Sequence, residues 1–189
     1  GALNESYADI FGVLISGSDW EVGRDVVKSP PYPLPYLRSL KDPNADGSYD
    51  PNNPLQGVGQ PATTDEYANL PVSRRYDNGG VHINSGIPNH AAYLVSQAIG
   101  NDKLQQIYYR TMTQYLSPQS DFLDAGNATA RAASDLYGQA EADAIRVAFG
   151  QVGINIGGGD NTPTPPPEPG SQQPQGPTQP VPAPDIPAG

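Results

Sequence analysis

The sequence predicts a mainly α fold: a bundle of about five helices preceded by a long irregular loop region and followed by a disordered Pro-rich C-terminal tail. Three observations predict it. Apolar residues recur at helical spacing over residues 3–16 and again between Pro88 and Gly150. Residues 18–80, between these stretches, are dominated by Pro, Asp, Asn, Gly and Ser and keep no sustained period. No strand alternation appears in the second half of the chain.

Taken in order, Leu3, Tyr7, Ile10, Phe11, Leu14 and Ile15 give the first helix one buried face, and Gly17, Ser18 and Asp19 end it. The loop region over 18–80 is long for a compact domain, and loops of that length are often functional. After Gly80, Ala91, Ala92, Leu94, Val95 and Ala98 set a helix from Pro88 to a stop at Gly100. Asp102 opens the next, with Leu104, Ile107, Tyr108, Met112, Tyr115 and Leu116 inward. A third begins at Asn127 or Thr129 and runs through Ala132, Ala133 and Leu136 to Gly138; a fourth carries Glu141, Ile145, Val147, Ala148 and Phe149 to Gly150–Gly153. From Gly157 the chain is Gly, Pro, Thr, Gln and Ser, which cannot bury enough apolar surface to fold. This divides it into a helical domain, 1–156, and a Pro/Gly-rich linker, 157–189. Gly1 opens directly into a helical pattern with no leader before it, which reads as a fragment or a processed piece.

Composition narrows the function. A net charge of -10 leaves no basic cluster for phosphates, so nucleic acid is not an expected partner. An acidic surface aids solubility and is common where calcium binds. With no cysteine, disulfides, thiolate metal sites and Cys nucleophiles are excluded together. No apolar run reaches membrane-spanning length, so no membrane partner is expected.

Two groups of residues can carry chemistry. Glu5 and Asp9 stand four apart and share a helix face, either as a metal ligand with a carboxylate that orients a ligand histidine or as a solvated pair. In Asp77-Asn78-Gly79-Gly80-Val81-His82-Ile83-Asn84-Ser85-Gly86, glycines permit unusual backbone angles, and Asp77 precedes His82 by five residues. Such an Asp can orient the imidazole and favour its charged form, making His82 a donor to developing negative charge; a structural histidine is the plainer reading. The run from Asp42 to Asp50 has the oxygen spacing of a calcium loop, but Asn53 stands where the twelfth-position glutamate is needed, and an Asx-rich turn explains it more simply.

The segment Asp77 to Gly86 resembles the active-site histidine motif of the thermolysin family of zinc peptidases. Gly1 to Gly12, with its Asn4-Glu5 followed by Asp9, is similar to that family's third-ligand helix. Asp19-Trp20-Glu21-Val22-Gly23 and Leu37-Arg38-Ser39-Leu40-Lys41-Asp42-Pro43 match two further family segments in the family's order, and Lys103 to Leu116 and Ala133 to Gly138 look like its C-terminal helices. The resemblance covers residues 1–155. It implies Glu5 as the glutamate of a His-His-Glu zinc site and Asp9 as the carboxylate that bonds a ligand histidine. It implies Arg38 as the group that binds the substrate carbonyl, with Leu37 and Val22 as apolar lining. His82 would stabilise the tetrahedral intermediate while Asp77 holds its ring. Asp19 and Glu21 remain as candidate calcium ligands, although Ser16 and Arg24 stand where the resemblance calls for acidic residues.

The chain has two histidines, His82 and His90, and no H-E-x-x-H. Catalytic zinc needs three protein ligands, so the zinc site is incomplete in this chain. His90 has no counterpart role and reads as a surface or packing residue. The expectation is therefore the C-terminal half of a secreted, extracellular zinc endopeptidase that cuts before bulky apolar residues, with calcium as a second metal. Its partners would be an N-terminal half carrying H-E-x-x-H and peptide or protein substrates, and the isolated chain would be inactive. The alternative is an autonomously folding, non-catalytic helical binding or folding module.

Overall fold

The computed structural model describes residues 1–157. Helix α1 (Ala2–Ser16) buries Tyr7, Ile10 and Val13 and ends where Gly17 turns left-handed at φ 65°, a conformation that costs glycine nothing. Two short strands, β1 (Glu21–Val22) and β2 (Arg38–Ser39), pair antiparallel with Glu21 opposite Ser39 and Val22 opposite Arg38. After a long excursion come α2 (Asp77–Asn84), α3 (Gly86–Ile99), α4 (Asn101–Arg110), α5 (Phe122–Leu136) and α6 (Gln139–Gln151). Five helices of ten residues or more with one small ladder make the described chain mainly α, as its periodicity predicts.

The core is continuous. Ile10 of α1, Leu40 beyond β2, Ile87 and Val95 of α3, Leu104 and Ile107 of α4, Ile145 of α6 and Val152 are all fully buried. Each such side chain contributes about 1.5–3 kcal/mol over its exposed state. α5 packs most extensively on α6, which also rests on α3, while α1 lies across α2 and α3.

Two helix boundaries depart from the periodic reading, and each has a local cause. α5 begins at Phe122 rather than Asn127, because Asp121 and Asp124 close a reciprocal capping box. Gly126 sits inside that helix because Ile156 and Phe149 press on it; a Cβ there would lie 2.6 Å from Ile156 Cγ2. The expected helix from Asp102 to Leu116 is α-helical to Arg110 and then widens into a π turn over Thr111–Tyr115, where buried Thr111 Oγ1 donates to Ile107 O at 2.8 Å.

The loop region is pinned by distant bonds. Asn84 clamps Ala68 from both sides, its Oδ1 accepting from Ala68 N at 2.9 Å and its Nδ2 donating to Ala68 O at 3.0 Å. Tyr49 Oη donates to Glu66 O at 2.5 Å, and Thr64 N donates to Val152 O at 2.9 Å. In the Asp42–Asp50 run, Asp46 Oδ1 accepts from Ser48 N two residues on, as in an Asx turn, and Asn44 Oδ1 accepts from Tyr49 N five residues on. The linker expected over 157–189 lies outside the described residues apart from Gly157. Among the described residues no helix is long and apolar enough to cross a membrane.

Buried phenols make alkaline pH a test of this packing. Tyr7 and Tyr108 contact each other at a 5.6 Å ring separation, and burial raises both hydroxyls above the ordinary value of 10. Tyr49 is pushed to about 12, by burial first and then by Glu66 and Asp50. A phenol raised in the folded state gives stability that is complete below the unfolded value and is lost as pH rises toward the folded one. The chain is expected to lose stability between about pH 10 and 12, with tyrosinate absorbance and loss of helical circular dichroism rising together. Ionisation of every tyrosine near the ordinary value with helix content unchanged would contradict it.

Candidate active site

His82 owes its position to an unusual turn. Asp77, Asn78, Gly79 and Gly80 are four consecutive left-handed residues, with φ of 54°, 49°, 90° and 76°. Such angles cost a non-glycine residue on the order of 1–3 kcal/mol, so the surrounding structure must hold them. Asp77 does much of the holding: its Oδ2 accepts from His82 N at 2.8 Å and Ile83 N at 3.3 Å, which caps the regular part of α2. Its Oδ1 faces His82 Nδ1 at 2.5 Å, which places the proton on Nδ1 and fixes the ring. The other ring nitrogen, Nε2, lies 3.3 Å from Glu5 Oε2. Thus α2 and α1 bring His82, Asp77 and Glu5 together from positions far apart in sequence.

One turn along α1, Asp9 is buried and its carboxylate accepts three side-chain hydrogen bonds, two at Oδ2 and one at Oδ1, so Oδ1 keeps room for one more donor. Arg38 grips it through two parallel bonds, Nε to Oδ2 at 2.7 Å and Nη2 to Oδ1 at 2.9 Å. Buried Asn89 adds Nδ2 to Oδ2 at 2.9 Å. Arg38 is aimed by the β1–β2 ladder on one side and by Asp9 on the other. It lines an open cavity of about 310 Å³ with Leu37, His82, Asp77, Tyr32 and Leu55. Leu37 stands at this cavity, whereas Val22 packs against the core beside it.

Four contributors escaped the sequence reading. Gln60 donates to His82 O at 2.5 Å and to Ser85 Oγ at 3.2 Å, bracing α2 from the loop region. Asn89, Asn84 and Tyr32 likewise act through partners 5 to 80 residues away, and no local pattern marks them. His90 stacks on Tyr93 and directs Nδ1 at Leu40 O, 3.2 Å away, well suited to a packing role. Asp19 and Glu21 lie together beyond α1, and their oxygens face Lys41 and Arg24.

Among the described residues no group of three or more His, Asp and Glu side chains is arranged to hold a metal ion. Glu5 is half-buried and beside His82, while the Asp9 carboxylate is committed to Arg38 and Asn89. A catalytic zinc does not fit these residues alone.

The pattern of the family described as thermolysin metallopeptidase, alpha-helical domain, matches residues 1–154. The chain belongs to this family. It is 44% identical over 154 residues to bacillolysin of Bacillus amyloliquefaciens, a match covering 82% of this chain and 26% of that protein. It is 39% identical over 155 residues to a zinc metalloproteinase of Listeria monocytogenes, covering 82% of this chain and 28% of the other. Among solved structures it is similar to the precursor of protealysin, a metalloproteinase from Serratia proteamaculans, with a TM-score of 0.68 and 32% identity over 82% of this chain and 49% of that one. The chain thus spans about a quarter of the bacillolysin it matches.

Proposed function

We propose that this chain supplies one wall of the cleft of a secreted zinc endopeptidase and that its residues act only when an N-terminal half bearing H-E-x-x-H is present. The observation that carries the reading is His82, held by Asp77 through Nδ1 and presenting Nε2 beside Glu5 at the edge of an open cavity. Glu5 is the glutamate that would complete a His-His-Glu site, and bound zinc supplies electrophilic activation of water and the scissile carbonyl. The chain's own residues do the rest. Arg38, already fixed on Asp9, donates to the substrate carbonyl, and the Asp9 carboxylate bonds a ligand histidine from the other half. Leu37 supplies apolar lining, with Val22 packed on the core behind it. When protonated, Nε2 of His82 donates to the oxygen that gains charge as water adds to the peptide carbon, which costs no reorganisation because Asp77 holds the ring.

A groove of about 600 Å³ supports the missing partner. It is lined by Leu3, Tyr7 and Phe11 of α1 with Met112, Leu116 and Pro118, an apolar surface on the helix that carries Glu5. The continuous core also favours independent folding, so the isolated chain is an inactive but folded domain. The test is zinc content and peptide hydrolysis for the chain alone and mixed with the N-terminal half. The expected result is a metal-free, inert chain with a cooperative melt, and zinc-dependent cleavage on mixing. Stoichiometric zinc and hydrolysis by the chain alone would overturn the reading.

A further inference from the structure

At the start of β1, Glu21 is buried with its side chain 4% exposed, and Asp19 in the preceding turn is open to solvent. Both oxygens of the buried Glu21 carboxylate are taken by cations of this chain. Arg24 donates Nε to Oε2 at 2.7 Å and adds Nη2 to the same oxygen. Lys41 Nζ stands 3.2 Å from Oε1 and reaches Asp19 Oδ2 at 2.5 Å, bridging the two carboxylates. Two negative and two positive charges thus close on themselves. Ser16, the last residue of α1, turns its hydroxyl onto Val13 O.

A calcium ion needs six to eight oxygens at about 2.3–2.6 Å. Here the two carboxylates already have short partners, and an incoming dication would meet an ammonium and a guanidinium within a few ångströms. We propose that Lys41 and Arg24 occupy the place a divalent cation would take at Asp19 and Glu21, so that this corner of the fold is held by an internal clamp and is independent of calcium. The clamp joins the turn after α1 to the exit of β2, the strand that carries Arg38. It therefore does for the ladder what a bound ion would do.

Thermal unfolding of the 189-residue chain is compared in millimolar calcium, in chelator, and in sodium chloride of matched ionic strength. Tm is expected to differ by less than about one degree, whereas a site filled a hundredfold above its Kd would raise Tm by roughly 5–10 °C. Lys41→Met should lower Tm by several degrees in every buffer, and the double variant Arg24→Glu, Lys41→Ser should acquire a calcium-dependent rise. Equilibrium dialysis against calcium reads the same question if a variant folds poorly. Calcium retained by the unsubstituted chain and lost in Glu21→Gln overturns the proposal, as does an unchanged Tm in Lys41→Met. Calcium retained equally by both belongs to another part of the chain and leaves Glu21 on its cations, as proposed.

Discussion

If this chain and an H-E-x-x-H half form the zinc endopeptidase proposed above, replacing His82 by Ala in the assembled enzyme is expected to lower kcat/KM by about two to four orders of magnitude while zinc content is unchanged. The size follows from the role proposed for the ring. A donor aimed at a developing oxyanion acts in the transition state and hardly at all in the ground state, so kcat falls and KM moves little. Nothing in the fold rests on the imidazole: its side chain is more than half exposed, and Asp77 keeps its bonds to the His82 and Ile83 backbone amides whatever stands at position 82. Metal analysis beside steady-state kinetics therefore separates the role assigned to His82 from a folding defect. Undiminished turnover in a zinc-loaded His82→Ala protein would remove His82 from the chemistry.

Asp9→Ala should cost this chain about 3–5 kcal/mol, a large part of the 5–15 kcal/mol that keeps a typical domain folded. The substitution strands two groups at once. Arg38, with only a fifth of its side chain exposed, loses a two-bond partner. Asn89, fully buried and already lacking a partner at Oδ1, loses the acceptor of Nδ2 as well. Urea unfolding of the purified chain measures the loss directly. Removing the charge from both sides, in Asp9→Leu with Arg38→Met, should recover much of it, because a well-packed apolar pair can replace a buried ion pair. A loss below about 1 kcal/mol in the single variant would mean that water already screens the pair.

How much of this was legible depended on distance along the chain. α1 and α3 were readable because Leu3, Tyr7, Ile10 and Ala91, Ala92, Val95 repeat within their own helices. The Asp77–His82 pair was readable because five residues separate its members across a Gly-Gly turn. The start of α5 was hidden, since Gly126 breaks a local pattern and only contact with Phe149 and Ile156 explains it. The ordering of 40–76 was hidden as well, because Asn84, Gln60 and Tyr49 bond across 16 to 25 residues with no periodic trace. The approach of Glu5 to His82 came from likeness to a family, not from spacing. Lys41 drew no reading of its own from the sequence, because its two carboxylates lie about twenty residues upstream.

α1 is a two-sided object. Glu5 faces His82, while Tyr7, Ile10 and Val13 of the same fifteen residues are sunk in the core. A rigid helix transmits any shift of its buried side directly to its other edge, since the rise per residue is fixed. The edge that meets His82 and the hydrophobic interior therefore share one lever arm. In the enzyme proposed above, a substitution that repacks the inner side of α1 would also move the Glu5 carboxylate, so heat stability and the aim of that carboxylate would be set on the same fifteen residues.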